Sequence, residues 1–202
     1  MIRLYQFLEC PYCHRVRIVL AEKELDYQSV LIDLTKGENR TEQFLRYNPL
    51  GRIPVLSDDD LILSESLLIN EYLNEEYPYP ELMPEGSQDR ALVRHLSFQI
   101  ENMISSSFLE FYLSNRAREK GESFDDSRLE KARQNIFKFL EIANQQLKGK
   151  NYLFGSYSLA DIAFAPWVSR FEKYQILVPG NLSGVQNWMK RLSKKHTVVK
   201  TK

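Results

Sequence analysis

The sequence carries only two cysteines, no apolar run long enough to cross a bilayer and no excess of either charge, and each shortage removes a class of function. Lysine plus arginine and aspartate plus glutamate number 27 each among 202 residues. A chain so balanced has no global field to draw it onto nucleic acid or an anionic membrane, so the expected partner is a small molecule or another protein. No segment approaches the ~20 apolar residues of a membrane span. The opening MIRLYQFLE lacks an apolar stretch followed by a small-residue cleavage site, and the expected location is the cytoplasm. In that reducing compartment two closely spaced thiols are poor staples, and more often serve redox, catalytic or metal chemistry. With 43% hydrophobic residues, the chain can bury a core without a staple.

What is present falls into two halves. RLYQF at 3–7 and YQSVLI at 27–32 read as strands flanking a helical run from Pro11 to about Lys23. In that run Val16, Val19 and Leu20 share one side, and Arg15, Arg17 and Glu22 lie elsewhere. TEQFLRY suggests a short helix, and NPLGRIPVL a turn entering an extended segment. Short strands at 55–57 and 61–63, separated by DDD, suit a tight hairpin, and a helix follows from about Glu65 to Tyr77. The stretch YPYPELMPEGS, with three prolines and one glycine, can continue neither helix nor strand. It divides the chain into 1–78, a linker at 79–87 and a helical half at 88–202.

In the second half Leu92, Leu96, Ile100, Met103 and Phe111 recur at helical spacing, as do Leu129, Ile136, Phe139, Leu140, Ala143 and Leu147. Such stripes are read as core packing. Ser158 stands three residues before Asp161, the spacing of a capping box, with Tyr157 and Ile162 as its staple. The tail after Met189 carries six basic residues and no acid, read as a solvated helix end.

The two thiols lie in ECPYCHRVRIVLAEKEL. A cysteine attacks as thiolate, so its surroundings decide its use. Cys10 falls between the first strand and the first helix, and Pro11 suits the first helical position because its missing amide hydrogen would have had no partner. Cys10 is therefore placed at the N-cap, where free amides and the positive helix end favour a thiolate. His14, Arg15 or Arg17 adds to this where it turns toward the sulfur. Cys13 lies one turn inside, so Cys10 is the attacking thiol and Cys13 either a resolving thiol or a buried bystander. A zinc site wants four ligands; there is no second cysteine pair, and His95 and His196 are distant in sequence, so no metal is expected. CPYCH also matches the CxxCH haem-attachment pattern, but without an export signal and wedged between a strand and a helix it lacks the setting for that use. Two inert packing thiols remain the alternative. CxxC opening a helix in a strand–helix–strand unit is, however, the context that redox function requires.

Two later stretches can position a substrate. Ile53–Pro54 is read either as a cis peptide that exposes the Ile53 backbone to an extended, peptide-like ligand or as a trans proline opening an edge strand. SES at 64–66 opens a helix whose free amides, with the Ser66 hydroxyl, can hold a carboxylate while Glu65 takes an ammonium; an ordinary cap is the alternative. A thiolate, an exposed edge and a head-group pocket together describe a receptor for a small cysteine-containing peptide.

The order strand, CPYC, helix, NPLGRIPVL, SES, EYLNEEYP and then a helical half with SLADIAFAP resembles the glutathione transferase superfamily over nearly the whole chain. Within it the chain is most similar to cysteine-type members, the omega-like transferases and dehydroascorbate reductases. The resemblance implies an α/β thioredoxin-like N-terminal domain with a mixed four-stranded sheet, an all-helical C-terminal domain, glutathione as cosubstrate and a homodimer. It implies Cys10 as nucleophile and Ile53, before a cis Pro54, as the partner of the cysteinyl backbone. It further implies Glu65 and Ser66 at the γ-glutamyl group and Arg40 at the glycyl carboxylate. Many omega-like enzymes keep no second cysteine, which leaves the role of Cys13 open. RVRIVLAEK and EYLNEEYPYPELMPEG are also similar to the stringent starvation proteins, bacterial relatives that bind RNA polymerase and generally lack a cysteine at the place of Cys10.

The expected function is glutathione-dependent thiol transfer or dehydroascorbate reduction, acting on a small disulfide or electrophilic acceptor; the alternative is a polymerase-binding adaptor. Tyr12, Phe108, Phe111, Tyr112 and Trp167 are candidate walls of an acceptor pocket expected between the domains.

Overall fold

The computed structural model describes all 202 residues, which divide into two compact units, Met1–Leu82 with Lys195–Lys202, and Met83–Lys194. In the first unit β1 (Ile2–Gln6) leads into α1 (Pro11–Glu22) and β2 (Gln28–Leu31). α2 (Glu42–Leu45), β3 (Val55–Asp58), β4 (Leu61–Ser64) and α3 (Ser66–Glu76) follow. The four strands form a mixed sheet in the order β2-β1-β3-β4, with β1 parallel to β2 and antiparallel to β3. A parallel neighbour needs a crossover, and α1 supplies it.

Val16, Val19 and Leu20 of α1 are fully buried, as the periodicity predicts, and Ile18, off that stripe, is fully buried as well. Arg15 and Arg17, expected away from the buried side, are buried too. The physical reason is that α1 packs against α3 as well as the sheet, and the tail of the chain lies along it. Lys23, just after α1, donates from Nζ to the Tyr77 and Pro80 carbonyls at 2.5 and 2.9 Å, fastening the crossover to the chain beyond α3.

The turn before β3 is held by Asn48, whose Oδ1 accepts from the Leu50 amide and whose Nδ2 donates to the Arg52 carbonyl. Gly51 there has φ +63°, and a Cβ on it would stand 2.8 Å from the Asn39 carbonyl oxygen. Only glycine meets both conditions without displacing its neighbours.

In the second unit α4 (Ser87–Gln99), a π-helical segment (Ile100–Ser105) and α5 (Ser106–Glu119) follow one another without a break in the chain's helical course. The wide turn occurs where Asn102 Nδ2 donates to the Phe98 carbonyl and Ser106 Oγ donates to the Asn102 carbonyl, side chains competing with the backbone ladder. α6 (Asp126–Gln146) packs on α5 and buries Ala132, Ile136, Phe139, Leu140 and Ala143. α7 (Leu159–Phe164), α8 (Val168–Lys173) and α9 (Ser183–Lys194) complete the unit.

The expected capping box opens α7: the Asp161 carboxylate accepts from the Ser158 amide at 3.0 Å and its hydroxyl at 2.9 Å. It also accepts from the Leu153 amide and from Trp188 Nε1 on α9. Trp188 stacks on Phe164 with ring centroids 4.5 Å apart, so the cap is built into the core of the unit.

The last helix, α10 (His196–Lys200), belongs to the first unit and packs on α1. The boundary expected from the proline-rich stretch assigns these residues to the helical half instead. Side-chain bonds from α1 to the tail explain the difference, because periodicity within the tail does not reveal where it docks.

Candidate active site

The strand register brings the separate sequence features to one end of the sheet. Tyr5, one residue from the end of β1, lies opposite Val55 at the start of β3, and Val55 lies opposite Ser64 at the end of β4. The segments just outside these pairs are Phe7–Cys10, Ile53–Pro54 and Glu65–Ser66. Of the residues expected as nucleophile or glutathione contacts, all but Arg40 therefore lie at this end of the sheet or on the first turn of α1. The Ile53–Pro54 peptide is cis.

Cys10 takes the N-cap position of α1 with extended backbone (φ −72°, ψ 121°), and Pro11 is the first helical residue. The Cys10 amide donates to the Phe7 carbonyl at 3.1 Å, and the Cys10 carbonyl accepts from the His14 amide. Cys10 is half-buried and Cys13 fully buried, and both are free thiols. The Cys10 thiol is held down to about 7, first by the hydrogen bond from Cys13, then by the amides of Cys13 and Tyr12 and the charge of Arg15; burial opposes them. Cys13 is pushed far up, first by burial, then by its hydrogen bond to Cys10 and by the negative charge that Cys10 carries. A proton shared between the sulfurs therefore resides on Cys13, and Cys13 acts as donor to a Cys10 thiolate.

Of the three basic side chains named around the thiols, each has a distinct post. Arg15, 0% exposed, lies with its guanidinium 5.3 Å from the Tyr12 ring centroid and Nη1 3.4 Å from Ser66 Oγ, linking the thiol end of the site to the start of α3. His14 Nε2 donates to the Val198 carbonyl at 3.1 Å. Arg17 faces Gln6, Leu8 and Thr201.

Glu65 is exposed and adopts φ +70°, a left-handed conformation in a residue with a Cβ, held by the end of β4 on one side and α3 on the other. Ser66 is buried beside Arg15. Arg40 is exposed, its Nη1 donating to the Leu50 carbonyl at 3.2 Å across the turn that contains Gly51. These residues suit a zwitterionic peptide: a cation at Arg40, a carboxylate at Glu65 and helix-start amides with a hydroxyl at Ser66. No three His, Cys, Asp or Glu side chains come together to hold a metal.

The link from Arg15 to Ser66 was not read from the sequence, where Arg15 figured only as a charge beside the thiols. The signal available was weak: an arginine four residues after the N-terminal end of a helix whose opposite face is apolar. Phe108, Phe111 and Trp167, expected as pocket walls, are instead 2%, 5% and 2% exposed and pack on one another with Phe171 and Tyr174. Aromatic side chains at helical spacing satisfied one another first. Tyr112 alone of that group in the second unit is exposed.

Family models for the glutathione S-transferase N-terminal domain and the glutathione S-transferase C-terminal domain match residues 9–76 and 126–191. Maleylacetoacetate isomerase of Rattus norvegicus is 33% identical over 175 residues, which cover 86% of this chain and 79% of that protein. A stringent starvation protein A homolog of Histophilus somni is 33% identical over 183 residues, covering 90% and 80%. The crystal structure of glutathione transferase F7 from Populus trichocarpa matches with a TM-score of 0.88 at 28% identity, over 100% of this chain and 97% of that one.

Proposed function

This chain belongs to the glutathione transferase superfamily, and on that premise we propose that it is a cysteine-type, glutathione-dependent thiol transferase, with Cys10 as nucleophile. The observation that carries the reading is a half-buried cysteine at the N-cap of α1 whose thiol is held near 7 by a hydrogen bond from a second cysteine. Glutathione enters as a substrate. Ile53, Glu65, Ser66 and Arg40 are the residues proposed to hold it, the first by its backbone and the others by charge and hydrogen bonds.

In the forward direction the Cys10 thiolate attacks the glutathionyl sulfur of a mixed disulfide, the sulfur–sulfur bond breaks, and the acceptor leaves as a thiolate that takes up a proton. Cys10 is then disulfide-bonded to the glutathionyl group. Attack on that group's sulfur by a second glutathione thiolate returns the electron pair to Cys10 and releases oxidised glutathione. Cys13 favours both halves by donating to the Cys10 sulfur whenever it is anionic. The low thiol pKa also makes Cys10 a good leaving group in the second exchange.

The test is glutathione-dependent reduction of a small mixed disulfide by the intact protein and by Cys10→Ser, with dehydroascorbate as a second acceptor. Turnover by the intact protein that vanishes in Cys10→Ser is the expected result; equal activity in the two overturns the assignment. The name of the rat relative supports a second enzymatic reading, isomerisation of maleylacetoacetate, and that substrate belongs in the same experiment. The resemblance to the stringent starvation protein A homolog supports an adaptor, which predicts no turnover in either form and recovery of RNA polymerase subunits with the protein.

A further inference from the structure

The chemistry proposed for Cys10 leaves one buried charge of α1 without a role. Arg17 is 4% exposed, and a cation so placed is costly unless its donors are met. Three oxygens from three segments meet them. Nη1 donates to Gln6 Oε1 at 2.7 Å, Nη2 to the Leu8 carbonyl at 2.9 Å and Nε to the Thr201 carbonyl at 2.7 Å. Gln6 ends β1, and its own amide nitrogen donates to Ser29 Oγ, which leaves Oε1 turned to the arginine. Leu8 sits inside the turn that the Cys10 amide closes on Phe7. Thr201 belongs to the tail, which two further side chains of α1 hold in place. His14 bonds the Val198 carbonyl, and Glu22 accepts from the Thr197 hydroxyl and pairs with Lys195 at 3.1 Å.

We propose that Arg17 is a positioning residue for the Cys10 thiolate, its fork clamping the Leu8 carbonyl to the end of β1 and to the 195–202 tail so that the turn before α1 keeps the Cys10 sulfur on the helix-start amides. The inference rests on the reading of Cys10 as the nucleophile. Its physical basis is angular: hydrogen bonds from the Tyr12 and Cys13 amides weaken steeply when the acceptor swings off their axes, and the Phe7–Cys10 turn sets the direction in which the chain brings the sulfur to them. A planar guanidinium reaches three acceptors in fixed directions, which an ammonium cannot. The titratable groups that act on Arg17 are Cys13, Tyr27 and Cys10, which favour its charge, while burial lowers the arginine; His14, Glu22 and Lys195 are engaged with the tail and with one another. The tail thus acts on the thiol without touching it.

The test is the rate of Cys10 alkylation by iodoacetamide against pH, with the adduct located by peptide mass, on the full-length protein and on folded Arg17→Gln, Arg17→Lys and Gln6→Leu. Both arginine variants are expected to raise the Cys10 midpoint by about one pH unit, which slows alkylation at pH 6 about tenfold. Gln6→Leu, which removes one of three acceptors, is expected to move it the same way by less. An unshifted midpoint in Arg17→Gln overturns the proposal, and full recovery in Arg17→Lys overturns it too, since a point charge would then suffice. Should the arginine variants fail to fold, Gln6→Leu decides: a midpoint unchanged from the intact protein overturns the clamp. Alkylation needs no glutathione, so a protein without thiol transfer activity refutes the proposed function while this readout still judges Arg17.

Discussion

A buried arginine in the first unit and a buried aspartate in the second meet the same difficulty with opposite charge. Arg17 gives its three directions to carbonyl oxygens, and Asp161 receives from two backbone amides, a hydroxyl and an indole. Each gathers segments distant in sequence. They differ in what stands at the far end of the bonds. The partners of Asp161 are a helix start and a core tryptophan, so loosening it unpacks α7 from α9. One partner of Arg17 is the turn that carries the proposed nucleophile, and on the clamp proposed above loosening it moves the Cys10 sulfur. On that proposal the same physics serves stability in one place and reactivity in the other.

The largest effect that separates the two is expected from Asp161→Ala. It strands buried neutral donors, and each one left unpaired costs about 1–3 kcal/mol. The measurement is the denaturant midpoint of unfolding, read beside the alkylation midpoint of Cys10, which is expected to stay near 7 in folded protein. A shift in the thiol without loss of stability would erase the distinction. The pH dependence comes next. Burial pushes Asp161 up to about 6, its donors offsetting only part of the cost of desolvation. An unfolded aspartate titrates near ~3.9, so the folded state holds the proton more tightly. Stability due to Asp161 is therefore full below pH ~4 and falls as pH rises through about 6. Unfolding free energy measured across that window is expected to lose this slope in Asp161→Asn.

In the first unit, Cys13→Ala removes the leading cause of the low Cys10 thiol. The alkylation midpoint is expected to climb by about one pH unit toward the ~8.5 of a free cysteine. No change would return the helix-end amides to first place. Arg15→Gln is expected to raise it least, by a few tenths of a unit, because its charge is the last of the causes. A loss of glutathione affinity larger than that shift would instead mark the bond from Arg15 to Ser66 as its main service.

The site was legible to different depths. Cys10 was placed at its helix cap from Pro11 and the preceding strand alone, because proline at the first helical position is a local preference that needs no partner. Cys13 one turn inside and the capping box at Ser158 and Asp161 follow from equally local spacing. The burial of Arg15 and Arg17 was not legible, for the opposite reason. A charged residue off the apolar stripe is normally solvated, and nothing within α1 reveals that α3 and the tail will cover it. Phe108 and Phe111 of α5 and Trp167 just before α8 show the same limit, since their place in the sequence does not show what they pack against.

The sequence by itself determined what nearest neighbours decide: two halves divided by a proline-rich stretch, the strand–helix–strand opening, the thiols at a helix start and the cap of α7. Only the tertiary structure decided which buried charges reach those thiols and where the last eight residues dock. Those bonds join residues as far apart as Arg17 and Thr201, and their geometry exists only once the sheet register and helix packing have brought the segments together.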